Sequence, residues 1–196
     1  METEYGMSDD EISMLNSLMS PENLSSLGIT SGSTGTQTGG NKKSLLTQNE
    51  INEILNKITD EKAKTSVSFA LSKVGYPYSQ PLRNSGTHFD CSSLAYYAWN
   101  SAGISVMTDG SNTAASEAKW CSDNDCTVKE ENLKPGDLIF YSYSNNGRYK
   151  NISHVGIYVG DGKMVEAVDE ATGVVMQDYH NGGLVMIGRP DKKKKN

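Results

Sequence analysis

Cys91 and His154 are the two residues whose types and surroundings could carry covalent chemistry. Cys91 stands in Phe89-Asp90-Cys91-Ser92-Ser93, just before Leu94, Tyr97, Ala98 and Ala102, which recur at helical spacing. Asp90 is a good N-cap and Gly103 a natural stop, so the cysteine should sit in the first turn of a helix. There, free backbone N–H groups and the positive end of the helix dipole favour a negative charge. A thiol so placed ionises more easily, and the thiolate is the nucleophile. The same pattern also fits a small core cysteine packed beneath a helix. His154 begins an alternating stretch, His154-Val155-Gly156-Ile157-Tyr158-Val159, that reads as a half-buried strand. An imidazole on a strand and a thiol at a helix start are the two parts of a nucleophile–base pair. The other histidines are weaker candidates, since His88 lies close before Cys91 and His180 falls in the polar turn Tyr179-His180-Asn181-Gly182-Gly183.

The motif Asp90-Cys91-Ser92, followed later by Ser153-His154-Val155-Gly156-Ile157-Tyr158, resembles the hallmarks of the NlpC/P60 family of cell-wall cysteine peptidases. Gly75-Tyr76-Pro77-Tyr78 before the cysteine and Leu133-Lys134-Pro135-Gly136-Asp137-Leu138 before the histidine strand extend the resemblance in the family's order. It runs from about Lys64 to Pro190, roughly two-thirds of the chain. The resemblance implies a papain-like α+β fold and a cysteine endopeptidase acting on peptidoglycan stem peptides. The implied bond joins D-glutamate, through its γ-carboxyl, to a diamino acid. The resemblance also implies that the Tyr78 hydroxyl helps the Cys91 backbone N–H bind the oxyanion. It implies as well that Asp90 and Ser92 contact the free amine of a short stem peptide. Ser93 replaces the family's usual glycine, and a small side chain near the cleft could narrow what enters. The rival readings are an amidase or acyltransferase on the same scaffold and a non-catalytic wall-binding module. An intact Cys91, His154 and Tyr78 argue against the last.

The family's third polar residue lies on the strand after the histidine, and the aligned position here is Glu166. Whether Glu166 can reach His154 depends on hairpin register, because a slip of one residue turns the side chain to the other face. A two-residue turn at Asp161-Gly162 would pair Ile157 with Glu166 and face the carboxylate away. A three-residue loop, Gly160-Asp161-Gly162, pairs Gly156 with Glu166 and puts His154, Gly156 and Glu166 on one face. Gly162 suits the left-handed last position of such a loop, so the second register is expected. A carboxylate beside the imidazole would raise its pKa and stabilise a thiolate–imidazolium pair. Otherwise Glu166 is a solvated strand residue and another group orients His154.

Around these residues the chain reads as helices followed by strands, the pattern of an α+β domain with an antiparallel sheet. Helices are expected at Asp60 to Val74, after Asp90, and at Thr113 to Trp120. Strands are expected at Leu138-Tyr141, Ser153-Val159, Lys163-Val168, Val174-Met176 and Leu184-Gly188. Ahead of them stand two capping boxes, Ser8/Glu11 and Thr47/Glu50, each opening an amphipathic stretch. Thr30 to Gly40 lacks aliphatic and aromatic residues and reads as a flexible linker. The expected division is an N-terminal helical and linker extension over 1–59, the catalytic domain over 60–190, and a basic, frayed tail over 191–196. The helix at Ile51 to Ile58 could dock on the catalytic domain or pair with the first helix.

The 196 residues allow one ordinary domain with an appendage. Net charge is -6, which argues against nucleic acid as the main partner. An apolar fraction of 36% and a mean hydropathy of -0.53 suit a soluble protein carrying a polar extension, and a monomer is expected. No run is long and apolar enough to cross a bilayer, and no signal peptide is visible. A wall enzyme acts outside the cytoplasm, so the chain could be a piece of a longer exported protein or use a phage or lysis route. Cys121 and Cys126 could form a small disulfide or stay free. Zinc would need two further ligands that the sequence does not group, so neither a metal nor another cofactor is expected.

Overall fold

The computed structural model describes residues 45–192. Among these residues four α-helices precede a six-stranded antiparallel sheet. The helices are α1 (Gln48–Leu55), α2 (Glu61–Ser72), α3 (Cys91–Ser101) and α4 (Ala114–Asp123). The strands are β1 (Thr127–Val128), β2 (Leu138–Tyr141), β3 (His154–Gly160), β4 (Lys163–Ala167), β5 (Val174–Asp178) and β6 (Leu184–Gly188). They lie in the order β1-β6-β2-β3-β4-β5. The two-residue β1, which pairs with β6, is too short to carry a period and was not anticipated.

Each helix starts where a side chain can satisfy its orphan N–H groups. Thr47 and Glu50 close a capping box on α1, Asp60 accepts from Lys62 and Ala63 on α2, and Thr113 accepts from Ser116 on α4. At α3 the carboxylate of Asp90 accepts from the Ser93 N–H at 2.7 Å, and the Ser93 hydroxyl accepts from the Asp90 N–H at 2.9 Å. This reciprocal pair fixes Cys91 as the first residue of the helix.

The core lies between the helices and one face of the sheet. Val67, Ala70 and Leu71 of α2, Leu94, Ala95, Ala98 and Trp99 of α3, and Leu138, Phe140, Val155, Ile157 and Val165 of the sheet are all buried there. Ile139, Tyr141, Met164 and Ile187, alternating with them, form a smaller cluster on the opposite face. Trp99 ties α3 to the β2 entry by donating its indole N–H to the Gly136 carbonyl at 3.0 Å. Gly136 has φ +93°, and a Cβ there would press on Ala63 and Trp99.

The expected boundary at residue 59 falls inside this packed unit. Ile58 is buried in the main core, and Leu46, Ile51, Ile54 and Leu55 pack against it. The described residues form one compact unit, so α1 belongs to the domain. The first capping box and the 30–40 linker lie outside the described residues. The tail is anchored where it begins, with Lys192 donating to the Thr127 carbonyl at 2.8 Å. Burial, together with a hydrogen bond to Asp60, raises the Asp191 carboxyl to about 6. Cys121 and Cys126 are free and buried, and the Cys126 thiol donates to the Cys121 carbonyl at 3.2 Å.

Candidate active site

The β3–β4 hairpin decides which side chains meet. Asp161 (φ 51°) and Gly162 (φ 69°) form a two-residue turn with both dihedrals left-handed, rather than the three-residue loop expected. Gly160 pairs with Lys163 across it, and a bulge then leaves Val159 without a partner before Tyr158 pairs with Met164. The bulge restores by one residue what the short turn removed. Ile157 therefore faces Val165, and Gly156 is opposite Glu166, with the Glu166 Cβ 3.6 Å from where a Gly156 Cβ would stand. His154 and Glu166 share one face, and His154 Nε2 hydrogen-bonds Glu166 Oε2. A Cβ at 156 would collide with the Met164 methyl, so Gly156 makes room for that side chain beside the pair.

Glu166 is buried and held from a second side by Gln177 on β5, whose amide donates to Oε1. Gln177 lies past the expected end of its strand at Met176, which is why sequence reading missed it. With Nε2 committed to Glu166, the other ring nitrogen, Nδ1, is left for the thiol. Burial alone would push the His154 pKa down. Hydrogen bonds with Cys91 and Glu166, and their charges, outweigh it and raise the imidazole from 6.5 to about 10. These partners favour the protonated form of the ring. Tyr141 and Tyr143 flank it, with ring centroids 6.1 and 6.2 Å from the imidazole.

Cys91, His154 and Glu166 line one pocket of about 510 Å³, together with Tyr78, Gln80 and Gln177. Tyr78 reaches it because an isolated bridge between Tyr78 and Phe89 lays its segment beside the residues leading to Cys91. Its hydroxyl accepts from Gln80 at 3.3 Å, and partial burial raises its pKa. His180 also lines this pocket but stacks on Tyr141, centroids 4.8 Å apart. His88 hydrogen-bonds Thr87 at 3.1 Å and does not join the site.

A second pocket of about 280 Å³ opens on the other side of Cys91, with Arg83, Asp90, Ser92 and Arg148 among its walls. Both Asp90 oxygens are engaged, Oδ1 by the Ser93 N–H and Oδ2 by Arg83 at 3.1 Å. A substrate amine would have to compete with Arg83 for this carboxylate. Ser92 is likewise taken, accepting from Arg83 at 3.1 Å. Ser93 does not narrow the cleft as expected, since it is fully buried and its hydroxyl is spent on the capping box. Arg83 had no sequence signal, because it lies in an aperiodic loop and meets Asp90 only in three dimensions. Beneath these groups Glu117 of α4 is fully buried, with both oxygens unpartnered among the described residues. Burial pushes its carboxyl well above the usual range.

A thiol at a helix start, an imidazole on an antiparallel sheet and a carboxylate behind it make a papain-like arrangement. The NlpC/P60 family pattern matches residues 75–186, and the chain belongs to the NlpC/P60 family. It is 34% identical over 133 residues to a probable endopeptidase p60 of Listeria grayi, covering 65% of this chain and 23% of that protein. It is 30% identical over 116 residues to a gamma-D-glutamyl-L-lysine dipeptidyl-peptidase of Bacillus cereus, covering 59% of this chain and 30% of that one. The chain thus spans less than a third of either relative's length. The peptidoglycan hydrolase RipB of Mycobacterium tuberculosis shares the fold, with a TM-score of 0.52 at 21% identity over 92% of this chain and 90% of that one.

Proposed function

We propose that this chain is a cysteine peptidase that hydrolyses peptidoglycan stem peptides at the cell wall, cutting between γ-linked D-glutamate and a diamino acid. The observation that carries the catalytic reading is the His154–Glu166 contact in the pocket that Cys91 enters. The bond follows from the family resemblance and from the substrate named for the Bacillus cereus relative. Cys91 thiolate attacks the scissile carbonyl, forming a C–S bond, while the His154 imidazolium gives its proton to the departing amine as the C–N bond breaks. The neutral imidazole then deprotonates a water, which attacks the thioester, releases the carboxylic acid and returns the sulfur to its ion pair. Glu166 orients the ring and stabilises its charge throughout. The Tyr78 hydroxyl and the Cys91 backbone N–H stabilise the oxyanion.

Digestion of purified muropeptides, with the products weighed, tests both parts. The expected result is one cut per stem at the γ-glutamyl bond by the wild type and none by Cys91→Ala, which should remain folded. Cys121→Ala, remote from the pocket, should keep turnover within a few-fold. Cleavage by Cys91→Ala would overturn the cysteine mechanism. Release of an intact stem from the glycan would show an amidase, and a transferred acyl group an acyltransferase.

A further inference from the structure

We infer that Cys121 and Cys126 are a disulfide site, closed by thiol–disulfide exchange in an oxidising milieu, where the bond staples the end of α4 to the start of β1. The step does not depend on which bond the enzyme cuts. It is carried by the way α4 ends. Cys121, Ser122 and Asp123 are the last residues of the helix, and Asn124 caps it. Asp125 follows with φ 55°, in the left-handed region. The Cys126 N–H then donates to the Cys121 carbonyl at 3.0 Å, and the Asp125 N–H to the Ser122 carbonyl at 3.3 Å. These two bonds close the helix around a left-handed residue, and in such an ending the two outermost side chains meet. That contact is usually apolar. Here both of its members are cysteines.

The surroundings hold the two thiols in place. A backbone bond of this kind keeps the Cα atoms of the residues it joins about 5–6 Å apart, within the span a disulfide bridges. The Cys126 thiol already turns back over its partner, donating to the Cys121 carbonyl at 3.2 Å. On β6, Gly188 makes room for the pair, since a Cβ there would collide with the Cys121 sulfur. The Cys126 carbonyl accepts from the Arg189 N–H at 2.7 Å, which fixes the second cysteine to the end of the same strand. Cys121 and Cys126 are 0% and 1% exposed, so exchange takes place while the chain folds, before β1 lies down on β6. One thiolate attacks an external disulfide of the glutathione type and expels a thiolate. The second then attacks the mixed disulfide, forming the Cys121–Cys126 bond and expelling the other half. The protein gives up two protons and two electrons, and the oxidant leaves as two thiols. Cys91 stands apart in the catalytic pocket at the start of α3 and stays a thiol. At its other end α4 lines the pocket beside Cys91 through Ala114, so the staple steadies a wall of the site from behind.

The test unfolds the full chain in urea and refolds it in mixed reduced and oxidised glutathione, with refolding in dithiothreitol for comparison. Free thiols are then alkylated in denaturant and the protein is cut with trypsin. Cleavage after Lys119 and Lys129 releases residues 120–129 as a single peptide that holds both cysteines and not Cys91. From glutathione this peptide should carry no alkyl group and be two hydrogens lighter than its dithiol, and from dithiothreitol it should be alkylated at both sulfurs. The closed protein should melt about 4–8 °C above the reduced one, the scale for a short disulfide loop in a domain of this size. Cys126→Ser should melt at the same temperature from either buffer. A peptide alkylated at both sulfurs, or one carrying glutathione, from protein folded in the glutathione mixture would overturn the disulfide. A closed peptide with an unchanged or lower melting temperature would overturn its role as a staple.

Discussion

Glu166 does two separable things for His154. It fixes the ring through Nε2, and it places a negative charge beside an imidazole that, in the proposed mechanism, must be cationic to protonate the leaving amine. Glu166→Ala removes both and should lower kcat by about 10- to 100-fold with little change in KM, less than the loss of the base itself. Glu166→Gln keeps a hydrogen-bonding side chain but not the charge. The wild-type imidazole, raised to about 10, should hold its proton through neutral pH, and activity should fall on the alkaline side as that proton is lost. In Glu166→Gln the folded pKa drops, so the alkaline limb should move to lower pH by about one unit, the scale of one lost charged partner. Rate–pH profiles of the two proteins measure this, and coincident alkaline limbs would make Glu166 a bystander. The partnership was legible in sequence because it turns on a few local signals, the turn residues and strand alternation. The turn type was misjudged, yet Val159, bulging from β3, brought the same faces together. Arg83 and Gln177 were not legible, since a loop without a period and the far end of an edge strand give no clue to what they face.

The sheet that carries these residues is fastened by an ion pair at the ends of β2 and β6. Arg189, just after β6, reaches Asp137, just before β2, with Nε to Oδ1 at 2.7 Å and Nη2 to Oδ2 at 2.7 Å. The Asp137 side chain is completely buried, and its Oδ2 also accepts from the Lys134 N–H at 2.8 Å. Burial raises the Asp137 carboxyl while Arg189 draws it down, so the arginine is what makes a charge tolerable there. Arg189→Leu strands that charge and should cost about 3–5 kcal/mol in urea unfolding. Adding Asp137→Asn should recover a good part of the loss, because the orphaned charge goes with it. A single variant as stable as the wild type would show that the turn holds without the pair. In the sequence, Leu133-Lys134-Pro135-Gly136-Asp137-Leu138 announced a turn and a strand. Its arginine, 52 positions on, could not be matched to it without the sheet order that seats β6 beside β2.

Across the whole domain the decisive departure from the sequence reading is where the folded unit begins. The capping box and apolar stripe of α1 were plain, but an amphipathic helix does not say what its apolar face covers. Here the face lies on the core, with Ile58 only 7% exposed and Ile51, Ile54 and Leu55 packed around it. Lys57 reaches the β3–β4 turn and pairs with Asp161 at 2.6 Å, though both ends are exposed and the pair adds little. The consequence is mechanical as well as energetic, because that turn sets the register on which Glu166 depends. A chain beginning at Asp60 loses the burial of several aliphatic side chains, each worth about 1.5–3 kcal/mol when complete. Since most are only partly covered, the expected loss is about 3 kcal/mol relative to a chain beginning at Lys42. Urea unfolding of the two proteins measures it directly. Hydrogen exchange adds a local readout, in which amides of the β3–β4 hairpin should lose more protection than those of β2 and β6. Equal unfolding midpoints and unchanged hairpin protection would return α1 to the status of a tether outside the domain.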